Sequence, residues 1–168
     1  MSARPSLARL KAFTLVELVC TLVVIGVIAS VALPRFFDLS DEAYDAAVLA
    51  TARSLEAAVS FATAGCAVRG WQGRDNLPGY ATGGVDFNSS CHPTDTGNAN
   101  AIGGRAARCM RVWQTILAGA PSVQTGATGA ADYRAVAAGE VCRFLFRRDT
   151  TPARQITYDA STGDVSDP

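Results

Sequence analysis

The chain has 168 residues, fifteen basic and fifteen acidic, for a formal net charge of zero. That length suits one globular domain of ordinary size, and the balance excludes a strongly basic surface pointing to nucleic acid or a strongly acidic one pointing to a polycationic partner. The charge is unevenly placed, however: Arg4, Arg9 and Lys11 precede the first apolar run, and without them twelve basic residues face fifteen acidic ones, so the remainder is mildly acidic.

Residues 13–33, FTLVELVCTLVVIGVIASVAL, are almost all apolar. As a helix they would rise about 32 Å, enough to cross a bilayer. The three upstream cations would stay on the cytoplasmic side and send everything after Leu33 outward. A secretory signal peptide shares the basic start, but its apolar core runs about 7 to 15 residues and ends in a small-x-small cleavage site. Here the run is longer, carries Glu17 near its start, and is followed by Pro34, Arg35, Phe36 and Phe37. The stretch therefore reads as one kept on the mature protein. Glu17 is the odd residue, because a carboxylate within a spanning helix costs about 2.5 to 3.5 kcal/mol. It needs a cation, or it snorkels to the headgroups from one turn inside the helix.

The octet Lys11-Ala12-Phe13-Thr14-Leu15-Val16-Glu17-Leu18 resembles the cleavage and methylation motif of type IV pilins and type II secretion pseudopilins. The resemblance implies that a prepilin peptidase cuts between Ala12 and Phe13 and that the new amine of Phe13 is N-methylated. It implies that Glu17 meets the Phe13 amine of a neighbouring subunit, which supplies the missing cation and sets axial register; such a charge-assisted pair specifies position more than it adds stability. Pro34 falls where the family commonly has a proline that bends or locally melts the helix in the filament, and its missing N–H gives the physical reason. The family prefers glycine before the cut, so Ala12 is a departure that would slow processing. Further likeness, to pilins of the mannose-sensitive haemagglutinin type, runs through residues 34–40, the segment from Cys109 to Trp113, Cys142-Arg143-Phe144 and Ile156-Thr157-Tyr158.

Beyond Pro34 the helical pattern continues, with Phe37, Tyr44, Val48, Leu55, Val59 and Ala62 on one stripe and Asp38, Asp41, Glu42, Asp45, Arg53 and Glu56 to one side of it. Residues 65–104 are rich in Gly, Asn, Ser, Thr and Asp and read as a long loop region. Within it Asn88-Ser89-Ser90 has the form of a glycosylation acceptor, a tripeptide frequent by chance, and lone His92 reads as a surface residue. A short second helix is predicted from Arg105 to Ala118, its apolar set being Ala106, Met110, Trp113, Ile116 and Leu117, with Trp113 in the core. Val141 to Phe146 and Gln155 to Tyr158 read as a terminal hairpin, Tyr133 to Val136 as a further strand, and Val165 as one more. The expected fold is therefore α+β, the type IV pilin fold: a long N-terminal α-helix, half membrane-spanning and half amphipathic, packed on a small antiparallel sheet. Its expected divisions are a leader (1–12), a transmembrane and filament-core helix (13–33), the amphipathic half-helix (34–64) and an extracytoplasmic head (65–168).

Cys66, Cys91, Cys109 and Cys142 form an even set without a Cys-x-x-Cys pair, which favours disulfides in an oxidising compartment over a zinc site. Four cysteines allow three pairings; the favoured one joins Cys109 to Cys142, tying the second helix to the hairpin, and leaves Cys66 for Cys91. Cys20 is expected to stay an apolar filler. Asp159, Ser161, Asp164 and Asp167 could offer oxygens to calcium, as a loop of some pseudopilins does, but the spacing is not that of an EF-hand; Asp159 and Asp164 are weak candidates and a solvated turn is the plainer reading. No nucleophile, base and orienting group can be assembled and no Gly-rich phosphate loop leads into a helix, so neither an enzyme nor a cofactor is expected. The resemblance implies instead a structural pilus subunit, anchored in the inner membrane as a prepilin and then extracellular in a helical filament of identical copies, with a membrane platform and a motor ATPase as partners and no nucleic acid. Its alternatives are a type II secretion pseudopilin, or a low-copy minor pilin whose head binds a surface, a glycan or DNA.

Overall fold

The computed structural model describes residues 13–80, 84–148 and 153–167, with only the helical backbone described for 33–38; the leader and Ala12 lie outside the described residues. The chain falls into two compact units, Met1–Glu42 and Ala43–Pro168. One helix, α1 (Leu15–Arg69), contributes to both. It runs five residues past the expected end at 64, because Gly65 and Cys66 keep the helical rhythm and only Gly70, at a φ of 61°, ends it.

In the second unit α1 buries Val48, Ala52, Leu55, Val59, Ala62 and Cys66. Their spacing alternates between four and three, which keeps them on one face over five turns. The other elements follow as β1 (Asp86–Phe87), β2 (Pro93–Asp95), α2 (Ala106–Ile116), β3 (Val123–Gln124), β4 (Tyr133–Ala138), β5 (Val141–Phe146), β6 (Gln155–Asp159) and β7 (Val165–Ser166). The last five form one sheet in the order β3-β4-β5-β6-β7, antiparallel throughout except for β3, which runs parallel to β4. Alternate residues face the helix: Tyr133 and Ala135 from β4, Cys142 and Phe144 from β5, Ile156 and Tyr158 from β6, all buried. The fold class is α+β.

Two packed clusters meet the helix stripe. The larger sets Val48, Ala52, Leu55 and Val59 against Trp113, Tyr133, Phe144, Ile156 and Tyr158. Trp113 is at its centre, with ring centroids 4.4 Å from Phe144 and 5.0 Å from Tyr133, and its indole N–H donates to the Pro121 carbonyl at 3.0 Å. The Tyr158 hydroxyl donates to the Pro93 carbonyl at 2.8 Å, and burial pushes its pKa well above the ordinary range. The smaller cluster joins Ala62 and Cys66 to Leu77, Val85, Phe87 and Cys91. Disulfides connect Cys66 to Cys91 and Cys109 to Cys142, one in each cluster.

The stretch expected to be a long loop is more ordered than its composition suggests. β1 and β2 pair antiparallel within it, and the buried Asp86 carboxylate accepts from the Asn76 N–H at 2.8 Å and the Ala99 N–H at 3.0 Å. Gly84 is required there: at a φ of 100° a Cβ would lie 2.7 Å from the Asn76 backbone. Nor is His92 a free surface residue. Its ring is half-buried, with Nδ1 3.0 Å from the Ala160 carbonyl oxygen, and the Asn88 amide donates to the same oxygen at 2.6 Å.

Buried and half-buried charges lock the remaining joints. Glu140, in the β4–β5 turn, accepts from the N–H groups of Ile102 (2.8 Å) and Gly103 (3.0 Å) and so fixes the approach to α2. Arg154, buried just before β6, donates to Asp45 of α1 at 2.5 Å across a separation of 109 residues. Asp95 is buried against Arg111, at 2.6 and 3.0 Å, and Arg108, at 3.4 Å. Burial pushes its carboxyl up, but the Arg111 fork, the Thr96 backbone and Arg108 together outweigh that and hold it below the ordinary value.

Two outcomes follow for the detergent-solubilised chain. Replacing Cys109 and Cys142 together by serine restores chain entropy to the unfolded state and should lower denaturant stability by about 2–4 kcal/mol. Asp95→Asn should cost about 1.5–3 kcal/mol through its lost charge-assisted bonds. Because the Asp95 carboxyl is depressed on folding, its contribution is present above the unfolded value near pH 4 and is lost as pH falls through the folded value. The stability gap between wild type and Asp95→Asn, followed by denaturation at several pH values, should therefore be full at pH 6 and narrow below pH 4.

Candidate functional site

The N-terminal part of α1 has no packing partner within the described chain. From Leu15 to Ala32 the mean hydropathy is 2.6 and none of the window is buried; Leu15, Leu22 and Ile28 illustrate it at 78%, 59% and 63% exposure. Eighteen residues at this pitch rise about 27 Å, so the helix is long and apolar enough to cross a membrane. Its two hydroxyls in this stretch are satisfied internally, Thr21 donating to the Leu18 carbonyl at 2.8 Å and Ser30 to the Val27 carbonyl at 2.7 Å. Apolar surroundings therefore leave neither hydroxyl unpaired.

The start of this helix gathers the residues singled out by sequence. Phe13 precedes the first turn and is 72% exposed. Thr14 is the cap: its Oγ1 accepts from the Glu17 N–H at 3.2 Å and its carbonyl from the Leu18 N–H at 3.2 Å. Sequence reasoning passed over Thr14, although Thr-x-x-Glu before an apolar run is a recognisable helix-start pattern. Glu17 thus stands in the first turn, exposed, where the unpaired N–H groups of the helix end favour a negative charge. No described residue forms an ion pair with it. A carboxylate thus stands on an exposed apolar helix, four residues after Phe13. Cys20, a free thiol, lies on the same exposed surface.

The other candidates lie elsewhere. Pro34 is inside α1, where it has no N–H to give to the Ser30 carbonyl. Asp159 and Asp164 form the β6–β7 turn, in which the Asp159 carboxylate accepts from the Ser161 N–H at 2.8 Å and hydroxyl at 2.6 Å. The Ser161 bonds hold the Asp159 carboxyl below its usual range. That carboxylate is occupied by its own turn, and among the described residues no three His, Cys, Asp or Glu side chains group closely enough to hold a metal ion. The candidate site is the exposed first segment of α1.

Comparison with known proteins finds a relative in Thermus thermophilus described as the type IV narrow pilus major component PilA5, 47% identical over 55 residues. The match takes in 33% of this chain and spans about half, 47%, of the relative's length. No family model and no solved structure matches the chain.

If the exposed segment is a membrane anchor, Val24→Arg, near its middle, should cost about 2.5–3.5 kcal/mol of insertion free energy. Alkaline carbonate extraction of membranes should leave the parent chain in the pellet and release a measurable fraction of the variant.

Proposed function

We propose that this chain is the precursor of a structural subunit of a type IV pilus and performs no covalent chemistry. The observation that carries the reading is the exposed apolar helix of the first unit, capped by Thr14 and bearing Glu17 in its first turn. The similarity to a narrow-pilus major component supports a pilus structural subunit. In this reading residues 1–12 are a leader, a peptidase cuts between Ala12 and Phe13, and the Phe13 amine is methylated. Residues 13–33 first anchor the subunit in the inner membrane and then enter the filament core, where helices exchange lipid contacts for contacts with one another. Residues 34–64 join that helix to the extracytoplasmic head, and Pro34 is the point at which the helix can yield as a subunit enters. A membrane platform and a motor ATPase complete the machinery, and the resemblances at residues 34–40 and in the head favour a haemagglutinin-type pilus.

The chemistry assigned to Glu17 is positional. Its carboxylate costs free energy in lipid and recovers it only by meeting the Phe13 amine of another copy, so a subunit out of register keeps an unpaired charge. Glu17→Ala and Glu17→Gln should both reach the membrane yet reduce sheared fibres at least tenfold, and intact-mass measurement of the wild-type subunit should give a chain that begins at methylated Phe13. Normal fibres from either variant, or a mature chain still carrying residues 1–12, would overturn the proposal.

A further inference from the structure

The outer face of the sheet carries arginines without carboxylates to match. Since Tyr133, Ala135, Cys142 and Phe144 point inward, Arg134 and Arg143 project from the opposite face. Arg134 pairs in register with Leu145, so Arg143 is its diagonal neighbour, about 7–8 Å away. Arg147 continues the same face: its Nη2 donates to the Ala127 carbonyl at 3.0 Å, while its Nη1, like Nε of Arg134, is buried without an acceptor among the described residues. The carboxylate at that end, Asp132, is taken by Ser122 and Arg148. Asp159, at the far end, is taken by Ser161. Like charges at diagonal positions repel, and no described carboxylate pairs with Arg134 or Arg143.

The flank of α1 offers the complement. Asp45, Ala46, Val48, Leu49 and Asp167 line an open cleft of about 240 Å³. Asp45 gives one oxygen to Arg154 yet its side chain is 66% exposed; Asp167 has only a long contact, 3.8 Å, with Arg53; and Glu56, bonded to Arg53 at 2.9 Å, extends the acidic surface. A cleft with an aliphatic floor and carboxylates at its rim suits an arginine, whose stem covers apolar surface while its fork meets the oxygens.

We propose that the arginine face of the sheet docks on the Asp45–Asp167 cleft of a second copy of this chain. The inference rests on the pilus reading and deepens it. The two patches lie on different faces of the same unit, and a contact between unlike patches of identical subunits propagates as a helix where it does not close into a ring.

A charge swap in cells producing the pilus tests it. Arg134→Glu with Arg143→Glu gives an acidic face and an acidic cleft; Glu56→Arg with Asp167→Arg gives a basic face and a basic cleft. Each double variant alone should lower sheared fibres at least tenfold with unchanged processed subunit in the membrane, and producing both in one cell should restore fibres containing the two copies together. Normal fibres from either double variant alone overturn the docking, and so does loss of fibres that co-production fails to restore, the latter assigning the arginines to another anion. Wild-type fibres from the same strain separate this from the parent reading: if they form while the swap fails, only the docking falls; if wild type forms none, both fall.

Discussion

The second unit is organised by a single buried stripe on α1. Val48, Ala52, Leu55, Val59, Ala62 and Cys66 are each almost fully buried, and burying a side chain the size of Val48, Leu55 or Val59 contributes about 1.5–3 kcal/mol. The stripe is what the sheet and α2 share: Trp113, Tyr133 and Phe144 converge on its middle, while the β1–β2 region closes over its last turns. The disulfides add a covalent tie to each of the two clusters. Cys66–Cys91 fastens the loop-rich segment to the helix end, and Cys109–Cys142 fastens a helix of eleven residues to the central strand β5.

The same helix is apolar twice over, and the difference between its halves is one of partner. In the second unit apolar residues occupy one face and are covered by the chain itself. In the first they occupy every face and are covered by nothing described. A helix hydrophobic all round requires lipid or other helices, and in the proposed reading this makes the first segment the assembly surface. In the proposed filament Glu17 would give that otherwise undirected surface an address, since apolar contact is non-directional whereas a charge must find a counter-charge.

How much of this is legible in the sequence depends on the range of the interactions involved. Val48, Leu55, Val59 and Ala62 announce themselves by helical spacing, and Tyr133, Val141–Phe146 and Gln155–Asp159 by β-branched and aromatic runs between turn residues. Ala52 and Cys66 complete the stripe, but a small residue carries little periodic signal. β1, β2 and β3 were hidden for another reason. At two or three residues none shows a period; β2 begins with a proline, and its Thr94 and Asp95 are buried polar groups whose partners, Asp86, Ala99, Arg108 and Arg111, are fixed only by tertiary structure. His92 likewise reads as solitary because its acceptor, the Ala160 carbonyl, is 68 residues away. At the candidate site, Glu17 is conspicuous by being charged in an apolar run, whereas Thr14 required reading the same tetrapeptide as a helix cap.

The distribution of arginine adds a further constraint on assembly. Every cation after Lys11 is an arginine, and four of those beyond α1 are paired with carboxylates inside the subunit: Arg154 with Asp45, Arg108 and Arg111 with Asp95, Arg148 with Asp132. The pairs made by Asp95 and Arg154 have one partner withdrawn from water, so salt screens them less than the exposed Arg148–Asp132 pair. Arg134 and Arg143 pair with no described carboxylate and lie on the sheet face opposite the buried one. In the proposed filament the apolar cores of neighbouring helices would supply affinity but tolerate sliding and rotation. Fixing one head against the next then falls to the periphery, where guanidinium forks and carboxylates are directional enough to set rotation as Glu17 sets rise. A subunit built this way carries two separate registers, one at the axis and one at the surface, and a misplaced copy must break both.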